Sequence, residues 1–343
     1  MILAGDVGGT KTLLGLFTPE PERPSPVEVG EFVTLDYDGL ETMIDEFLRA
    51  WKVEPRHLHA ASIGVAGAIT SQVARMTNVP WVVDAASVSE RTGIKRSRIL
   101  NDLEALAYAV PVLRPDELAP LQAGEKVDDG NAAVIAAGTG LGEAFLHNIG
   151  GQFIPVASEG GHADFAARTP RELEMVGALS PIFGRVSAET IISGPGLVNI
   201  YQFTHDAIGS GPLLTPSSLA PARLCSAVGH VDDPVDLPVR ISAAATERRC
   251  AQCVEAMEMF VAAYGAEAGN IALRGTATAG VYVGGGIAPK NLPALRTGAF
   301  MDAFRSKEPM AELVVKIPVS VILNDDAGLL GAAVFAQFSL LDR

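Results

Sequence analysis

Residues 3–12 read Leu-Ala-Gly-Asp-Val-Gly-Gly-Thr-Lys-Thr. Apolar Ile2 and Leu3 run into Asp6, then Gly8 and Gly9, then Thr10 and Lys11, and a second apolar run from Leu13 to Phe17 follows at once. This pattern predicts two strands joined by a tight turn at Gly8-Gly9. Glycines let the backbone bend sharply and bring bare N–H groups close to an anion. Asp6 repels phosphate, so its sensible task beside such a turn is to hold Mg²⁺, with water between. The segment reads as a magnesium-nucleotide site, and equally well as a plain hairpin turn with a solvated Asp6 and Lys11.

Two better-known phosphate loops do not fit. A P-loop needs Gly directly before its Lys, where this chain has Thr10. A dinucleotide fingerprint needs Gly-x-Gly-x-x-Gly between a strand and a helix, and here a strand pattern follows the turn.

The chain has 343 residues, enough for two domains of ordinary size, and 48% of them are apolar, enough for a large core. Acidic residues outnumber basic ones 40 to 26, giving a net charge of −14. That balance argues against a nucleic-acid partner or an anionic membrane surface. It leaves room for an anionic ligand, which local N–H groups and a single lysine can hold. With no basic opening, and with Asp6 interrupting the first apolar stretch, no signal peptide is expected. No segment reaches the run of about 18 apolar residues that a membrane helix needs. The cysteines are Cys225, Cys250 and Cys253. They make no disulfide framework, and a lone Cys-x-x-Cys falls short of a four-ligand zinc site. With residues 243–264 read as one helix, these thiols are expected in the core or on a helix surface of a reduced, cytoplasmic protein.

Along the chain, strands are expected at residues 2–7, 11–17 and 27–35. A helix follows from Leu40 to Trp51, with Leu40, Met43, Ile44, Phe47, Leu48 and Trp51 at helical spacing. Another strand covers Ala61–Gly67, and Ile99-Leu100 leads into Asn101-Asp102 and a helix through Val110. The pattern then restarts: a strand at Asn131–Ala137, a turn at Gly138-Thr139-Gly140, and strands at Leu141–His147 and Gln152–Ser158. Two related halves would each present a glycine turn, facing each other across a cleft. Residues 204–240, rich in Gly, Pro and Ser, read as extended loops. A long helix is expected from Ser242 to Tyr264 and a second from Gly265 to Ala272. A strand ending in Gly284-Gly285-Gly286 follows, then a strand at Val319–Leu323 and a helix at Ala327–Phe338.

Asn101-Asp102 stands where a buried strand gives way to a helix, and ligands of open α/β sheets bind at such carboxyl ends. A carboxylate there suits the removal of a proton from an attacking hydroxyl, while either residue would also serve as a helix N-cap. In Ser158-Glu159-Gly160-Gly161-His162, two glycines separate a carboxylate and an imidazole, both able to bond the hydroxyls of a small ligand, or simply part of a polar turn. Glu189, after Ser187, offers a second carboxylate or simply a residue in a capped first helical turn. Gly138, Thr139 and Gly140 form a second candidate phosphate cradle. Gly284 and Gly285 leave room for a flat ring, or make an ordinary strand-to-helix turn.

Taken in order, Asp-x-Gly-Gly-Thr-Lys, Asn-Asp, Gly-Thr-Gly, Glu-Gly-Gly-His, Ser-Ala-Glu and Gly-Gly-Gly-Ile resemble the bacterial glucokinases of the actin-like, hexokinase-like ATPase superfamily. The resemblance runs from Asp6 through Thr77-Asn78 and Pro80-Trp81 to Asp326-Ala327-Gly328-Leu329, with Ser193 to Asn199 especially typical. It implies an α/β fold of two ribonuclease-H-like domains flanking an interdomain cleft: residues 1–111 plus 326–343, and residues 112–325. It implies ATP-dependent phosphorylation of glucose at O6, with Asp102 as general base. Asn101, Glu159, His162 and Glu189 would bond the other hydroxyls. Asp6, Gly8, Gly9, Thr10 and Lys11 would form the first phosphate loop, with Asp6 at the Mg²⁺. Gly138, Thr139 and Gly140 would form the second, and Gly284 and Gly285 would contact adenosine. Glucose and ATP are the implied ligands and a homodimer the implied assembly.

Relatives in the repressor/ORF/kinase family bind zinc through the His of Glu-x-Gly-His and a Cys-x-Cys-Gly-x-x-Gly-Cys cluster. This chain lacks that cluster, so no structural zinc is expected and His162 is expected to face sugar. With the first loop starting at residue 5, no DNA-binding helix-turn-helix is expected before it. The competing readings are a kinase for mannose, fructose or an N-acetylhexosamine, a non-catalytic sugar sensor on the same fold, and an actin-like filament ATPase.

Overall fold

The computed structural model describes residues 1–67, 69–76, 79–208, 225–229, 231 and 233–341. Thr77-Asn78 and, within the loop expected at 204–240, residues 209–224, 230 and 232 lie outside the described residues. The first elements are β1 (Ile2–Val7), β2 (Lys11–Thr18), β3 (Ser25–Val33), α1 (Leu40–Ala50), β4 (Ala60–Val65), the short β5 (Ile69–Thr70), β6 (Val73–Arg75) and β7 (Val82–Asp84), α2 (Ala85–Thr92), β8 (Ser97–Asn101) and α3 (Asp102–Ala109). Next come β9 (Leu118–Gln122), β10 (Ala132–Ala137), β11 (Leu141–Ile149), β12 (Gln152–Ser158), α4 (Pro170–Phe183), α5 (Ala188–Ile191), α6 (Gly194–Thr204), α7 (Leu237–Thr246) and α8 (Ala251–Gly275). The chain closes with β13 (Gly280–Gly284), α9 (Ile287–Lys290), α10 (Leu292–Leu295), α11 (Ala299–Arg305), α12 (Ala311–Val314), β14 (Val319–Ile322) and α13 (Ala327–Leu341). No helix among the described residues is long and apolar enough to cross a membrane.

The chain divides into two compact units: residues 1–118, 144–157 and 324–343 in the first, 119–143 and 158–323 in the second. In the first unit the sheet runs β3-β2-β1-β4-β8. β1 and β2 form the expected antiparallel hairpin, while β1, β4 and β8 are parallel. Side chains alternate faces along a strand, and β1 follows the rule. Leu3 and Val7 join the cluster that buries Met43, Ile44 and Phe47 of α1. Ile2 and Ala4 join the opposite cluster with Ala105 of α3 and Leu329, Ala332, Ala333 and Ala336 of α13. Asp6, two residues beyond Ala4, therefore belongs to the α3/α13 face. Small residues set the spacing there. A Cβ on Gly64 of β4 would lie 2.9 Å from the Ala105 Cβ, and one on Gly331 of α13 would lie 1.7 Å from the Ala105 carbonyl oxygen.

In the second unit the strand order is β10-β13-β14-β9, with β10, β13 and β14 parallel. All six residues of β10 are buried, as a central parallel strand requires. The 25-residue α8 packs closely on α11 through Gly265 and Gly269, whose Cβ atoms would strike the carbonyls of Phe300 and Phe304.

Three expectations need correction. Trp51 is the C-cap of α1 and is 45% exposed, so it does not complete the apolar stripe. The strand expected to reach residue 35 ends at Val33, where Thr34 turns back to bond the first glycine turn. The helices expected at 242–264 and 265–272 divide elsewhere, between Thr246 and Ala251, and α8 runs unbroken from Ala251 to Gly275. α7 ends at Thr246, Arg248 takes a positive φ of 53°, and α8 starts after Cys250 in an extended conformation.

Candidate active site

Parallel register decides what meets at one edge of the first unit. Val7 of β1 pairs with Val65 of β4, which pairs with Asn101 of β8. Three strands thus end level, and the Gly8-Gly9 turn and the Asn101-Asp102 corner share their carboxyl edge. The turn is closed by Gly8 N donating to the Lys11 carbonyl at 3.0 Å and braced by Thr34, whose Oγ1 donates to the Gly8 carbonyl at 2.9 Å. Thr10 gives its carbonyl to Thr34 N at 3.0 Å. Lys11 points outward and pairs with Glu31 at 2.9 Å, which raises its pKa.

Asp6 faces the starts of α3 and α13. Its carboxyl is pushed up to about 7, by burial first and then by the negative charges of Asp102 and Asp326, with Lys11 opposing. Gly328 of α13 makes this proximity possible, since a Cβ there would lie 2.6 Å from Asp6 Oδ2. A buried carboxylate crowded by two others is a donor set that a hard divalent cation would relieve. At the corner, Asn101 is the N-cap: its Oδ1 accepts from Leu103 N at 2.9 Å and Glu104 N at 3.3 Å, and its Nδ2 donates to Gly67 O at 3.3 Å. Asp102 is the first helical residue, half-buried, with one carboxylate oxygen taking Leu103 N at 2.9 Å.

The second unit gathers the remaining residues. Gly138 N donates to the Gly140 carbonyl at 2.8 Å, closing the second turn, and the Gly138 carbonyl accepts Gly194 N at 2.8 Å from the start of α6. Glu189 of α5 reaches this turn too. Its Oε2 accepts Leu141 N at 2.9 Å, and a Cβ on Gly140 would come within 2.5 Å of that oxygen. Its Oε1 lies 3.7 Å from His162 Nδ1, while His162 Nε2 lies 3.9 Å from Glu159. Glu189, His162 and Glu159 thus form one row, the last two exposed. Thr139 is exposed at the turn's tip. β13 ends beside β10 in parallel register, Ala136 opposite Gly284. Gly285, at φ 79°, presses on the Ala137 carbonyl, where a Cβ would sit at 2.4 Å. The two glycine segments of this unit are therefore neighbours.

Sequence reasoning missed three supports. The buried Tyr264 hydroxyl takes Ala137 N at 3.1 Å and lies 3.3 Å from the Gly284 carbonyl, tying both glycine segments to α8. Arg185 donates to the His162 carbonyl at 2.6 Å. Glu143 is 1% exposed beneath Gly160, and its carboxyl is pushed up to about 7 by burial and by Glu267. An acid inside the apolar run Leu141–Leu146 was the available signal for Glu143. A surface cavity of about 380 Å³ in the first unit, lined by Lys95, Arg98, Tyr108 and Phe335 among others, holds none of these residues.

The structure of a glucokinase from an Antarctic psychrotroph matches 98% of both chains with a TM-score of 0.81 and 27% identity. A ROK family glucokinase from Streptomyces griseus, solved in complex with glucose and AMPPNP, matches 98% of this chain and 99% of its own with a TM-score of 0.62 and 21% identity, a likeness of fold alone. The protein is accordingly of the sugar-kinase class with the actin-like ATPase fold. A family model described as Glucokinase matches residues 3–339. The glucokinase of Nostoc punctiforme is 35% identical over 340 residues, 98% of each chain. The chain belongs to the glucokinase family.

Proposed function

We propose that this protein transfers the γ-phosphoryl group of ATP to O6 of D-glucose, with Asp102 as general base. Membership of the glucokinase family over almost the whole chain carries the reaction, and the level ends of β1, β4 and β8, which bring Asp102 to the edge that bears the Gly8-Gly9 turn, support the assignment of the base. Phosphoryl transfer asks mainly for in-line positioning and charge neutralisation. Asp102 orients the 6-hydroxyl and takes its proton as the bond to phosphorus forms, a role worth about 10²–10⁴ in rate. Asn101, Glu159, His162 and Glu189 hold the other hydroxyls, the carboxylates through charge-assisted bonds. Asn101 retains one Nδ2 hydrogen for this beside the one it gives to the Gly67 carbonyl. Gly8, Gly9 and Thr10 offer backbone N–H groups to the triphosphate, as do Gly138, Thr139 and Gly140, and Gly284-Gly285 lies against adenosine. Lys11 would exchange Glu31 for phosphate.

The carboxylates around Asp6 fit Mg²⁺, which when bound with ATP neutralises the charge of the triphosphate. A cytoplasmic homodimer completes the reading, on family resemblance. The test is a coupled assay for glucose 6-phosphate with Mg-ATP, beside mannose, fructose and N-acetylglucosamine. Selective turnover of glucose is expected. Preference for another hexose would overturn the substrate, and absence of turnover in folded, glucose-binding protein would overturn the kinase reading.

A further inference from the structure

The break between α7 and α8 brings together residues that no single run of sequence groups. Cys250 is the N-cap of α8 and Cys253 lies in its first turn. His205 is the C-cap of α6, the helix that packs beside α8. Cys225 opens the 225–229 turn, which is pinned by Cys225 N donating to the Tyr201 hydroxyl at 2.8 Å and by Arg249 donating to the Ala227 carbonyl. One nitrogen or sulfur from each of the four lies within 4.8 Å of all the others. His162 is not among them.

The spacings are those of a metal shell. Zinc holds sulfur at about 2.3 Å and imidazole nitrogen at about 2.05 Å in a tetrahedron, so neighbouring donors stand roughly 3.8 Å apart for two sulfurs and about 3.6 Å for sulfur and nitrogen. The Cys225 and Cys253 sulfurs are 3.8 Å apart, and Cys250 Sγ is 3.4 Å from His205 Nε2. A disulfide would need about 2.05 Å. The histidine is also turned for ligation. Its Nδ1 lies 2.8 Å from the Tyr201 carbonyl, which can only accept, so Nδ1 carries the hydrogen and Nε2 presents its lone pair to the cysteines. The Tyr201 ring, 4.1 Å away between centroids, fixes the imidazole plane. Cys250 makes no capping bond to the α8 backbone, and its Sγ gives its hydrogen to Gln252 Oε1 at 3.3 Å, a bond that a metal-bound thiolate would release.

We propose that His205, Cys225, Cys250 and Cys253 form a structural zinc site. Three thiolates and a neutral imidazole fill a tetrahedron, leaving no open position for a substrate, and soft sulfur donors in that geometry select zinc over magnesium or calcium. Binding Zn²⁺ releases three thiol protons and leaves a complex of net charge −1, placed at the favourable N-terminal end of the long α8. The ion fastens the end of α6 and the 225–229 turn to the start of α8. Because α6 begins at the Gly138 carbonyl, the site anchors the far end of the helix that holds the second glycine turn.

The test is metal analysis of the whole protein, purified from zinc-supplied medium and dialysed against metal-free buffer. About one zinc per chain is expected, released when a mercurial titrates the thiols. Replacement by Co²⁺ should give the strong visible absorption of a tetrahedral site with thiolate-to-cobalt charge transfer. His205→Asn and Cys250→Ser, at half-buried positions that tolerate change better than buried Cys253, should each lose most of the zinc. Native protein that neither contains zinc nor takes it up when Zn²⁺ is added after reduction would overturn the proposal. So would zinc whose amount neither variant alters. These readouts do not depend on kinase activity, so the two proposals fail separately.

Discussion

The Gly8-Gly9 turn and the Gly138-Thr139-Gly140 turn grow from the same sequence device, a strand, a glycine corner and a second strand, yet their surroundings differ in charge. The first is flanked by Asp6, Asp102 and Asp326, and burial, with the neighbouring charges of Asp102 and Asp326 adding to it, pushes the Asp6 carboxyl up to about 7. The second is backed by the start of α6 and by backbone N–H groups, with Glu189 spending one oxygen on Leu141 N. On the proposed function, one turn would serve a cation beside phosphate and the other an anion and a sugar. Similar backbone geometry thus takes its chemistry from the side chains that tertiary packing brings to it.

The largest effect should come from the first region. Asp102→Asn should lower kcat by about 10²–10⁴ while glucose still binds, measured by coupled assay and by calorimetry. Undiminished turnover would remove the base and with it the chemical half of the comparison. On the second turn, Glu189→Gln should raise the KM for glucose about tenfold to a hundredfold, because it weakens charge-assisted bonds. An unchanged KM would mean that Glu189 serves the turn alone.

Two glycine substitutions compare the rigidity of the two places. Gly285→Ala meets a backbone carbonyl at 2.4 Å and sits at φ 79°, so it should cost about 1–3 kcal/mol in thermal or denaturant unfolding. Gly328→Ala meets a side-chain carboxylate at 2.6 Å, which can rotate aside. It should cost less stability but raise the Mg²⁺ concentration needed for half-maximal rate. The reverse pattern would show the first site to be the stiffer.

The smallest expected effect is a slope. Glu143 has its pKa raised to about 7 in the folded chain from an ordinary 4.5. Between those values the folded state binds more protons than the unfolded one, so stability falls as pH rises across that window and levels off above about 7. Glu143→Gln should flatten the fall, checked by urea midpoints at several pH values. An identical slope in both proteins would show that the Glu143 carboxyl titrates normally beneath Gly160.

The legible parts of the fold were those with a strict period. β1, β2, β10 and β12 lie where alternation and glycine punctuation predict them, and the apolar spacing of α1 identified five of its buried residues. The cap ambiguity at Asn101-Asp102 was not legible, because both residue types cap helices equally well. The structure gives the cap to Asn101 and leaves Asp102 one position on, at the edge. Reading 243–264 as one helix failed because helical propensity continues through Thr246-Glu247-Arg248. Nothing local announces the positive φ at Arg248 that ends α7.

Sequence alone determined which residue types are present, their order, and hence the family and most of the parallel strands, because periodicity and glycine turns are local properties. Tertiary structure decided which of those residues meet. The pairing of Val7, Val65 and Asn101, the crowding of three carboxylates at Asp6, and the gathering of His205 with three cysteines depend on packing between segments far apart in the chain. Such distances are set by the absence of side chains at Gly64, Gly328 and Gly331 and by the break before α8, and no local pattern encodes them.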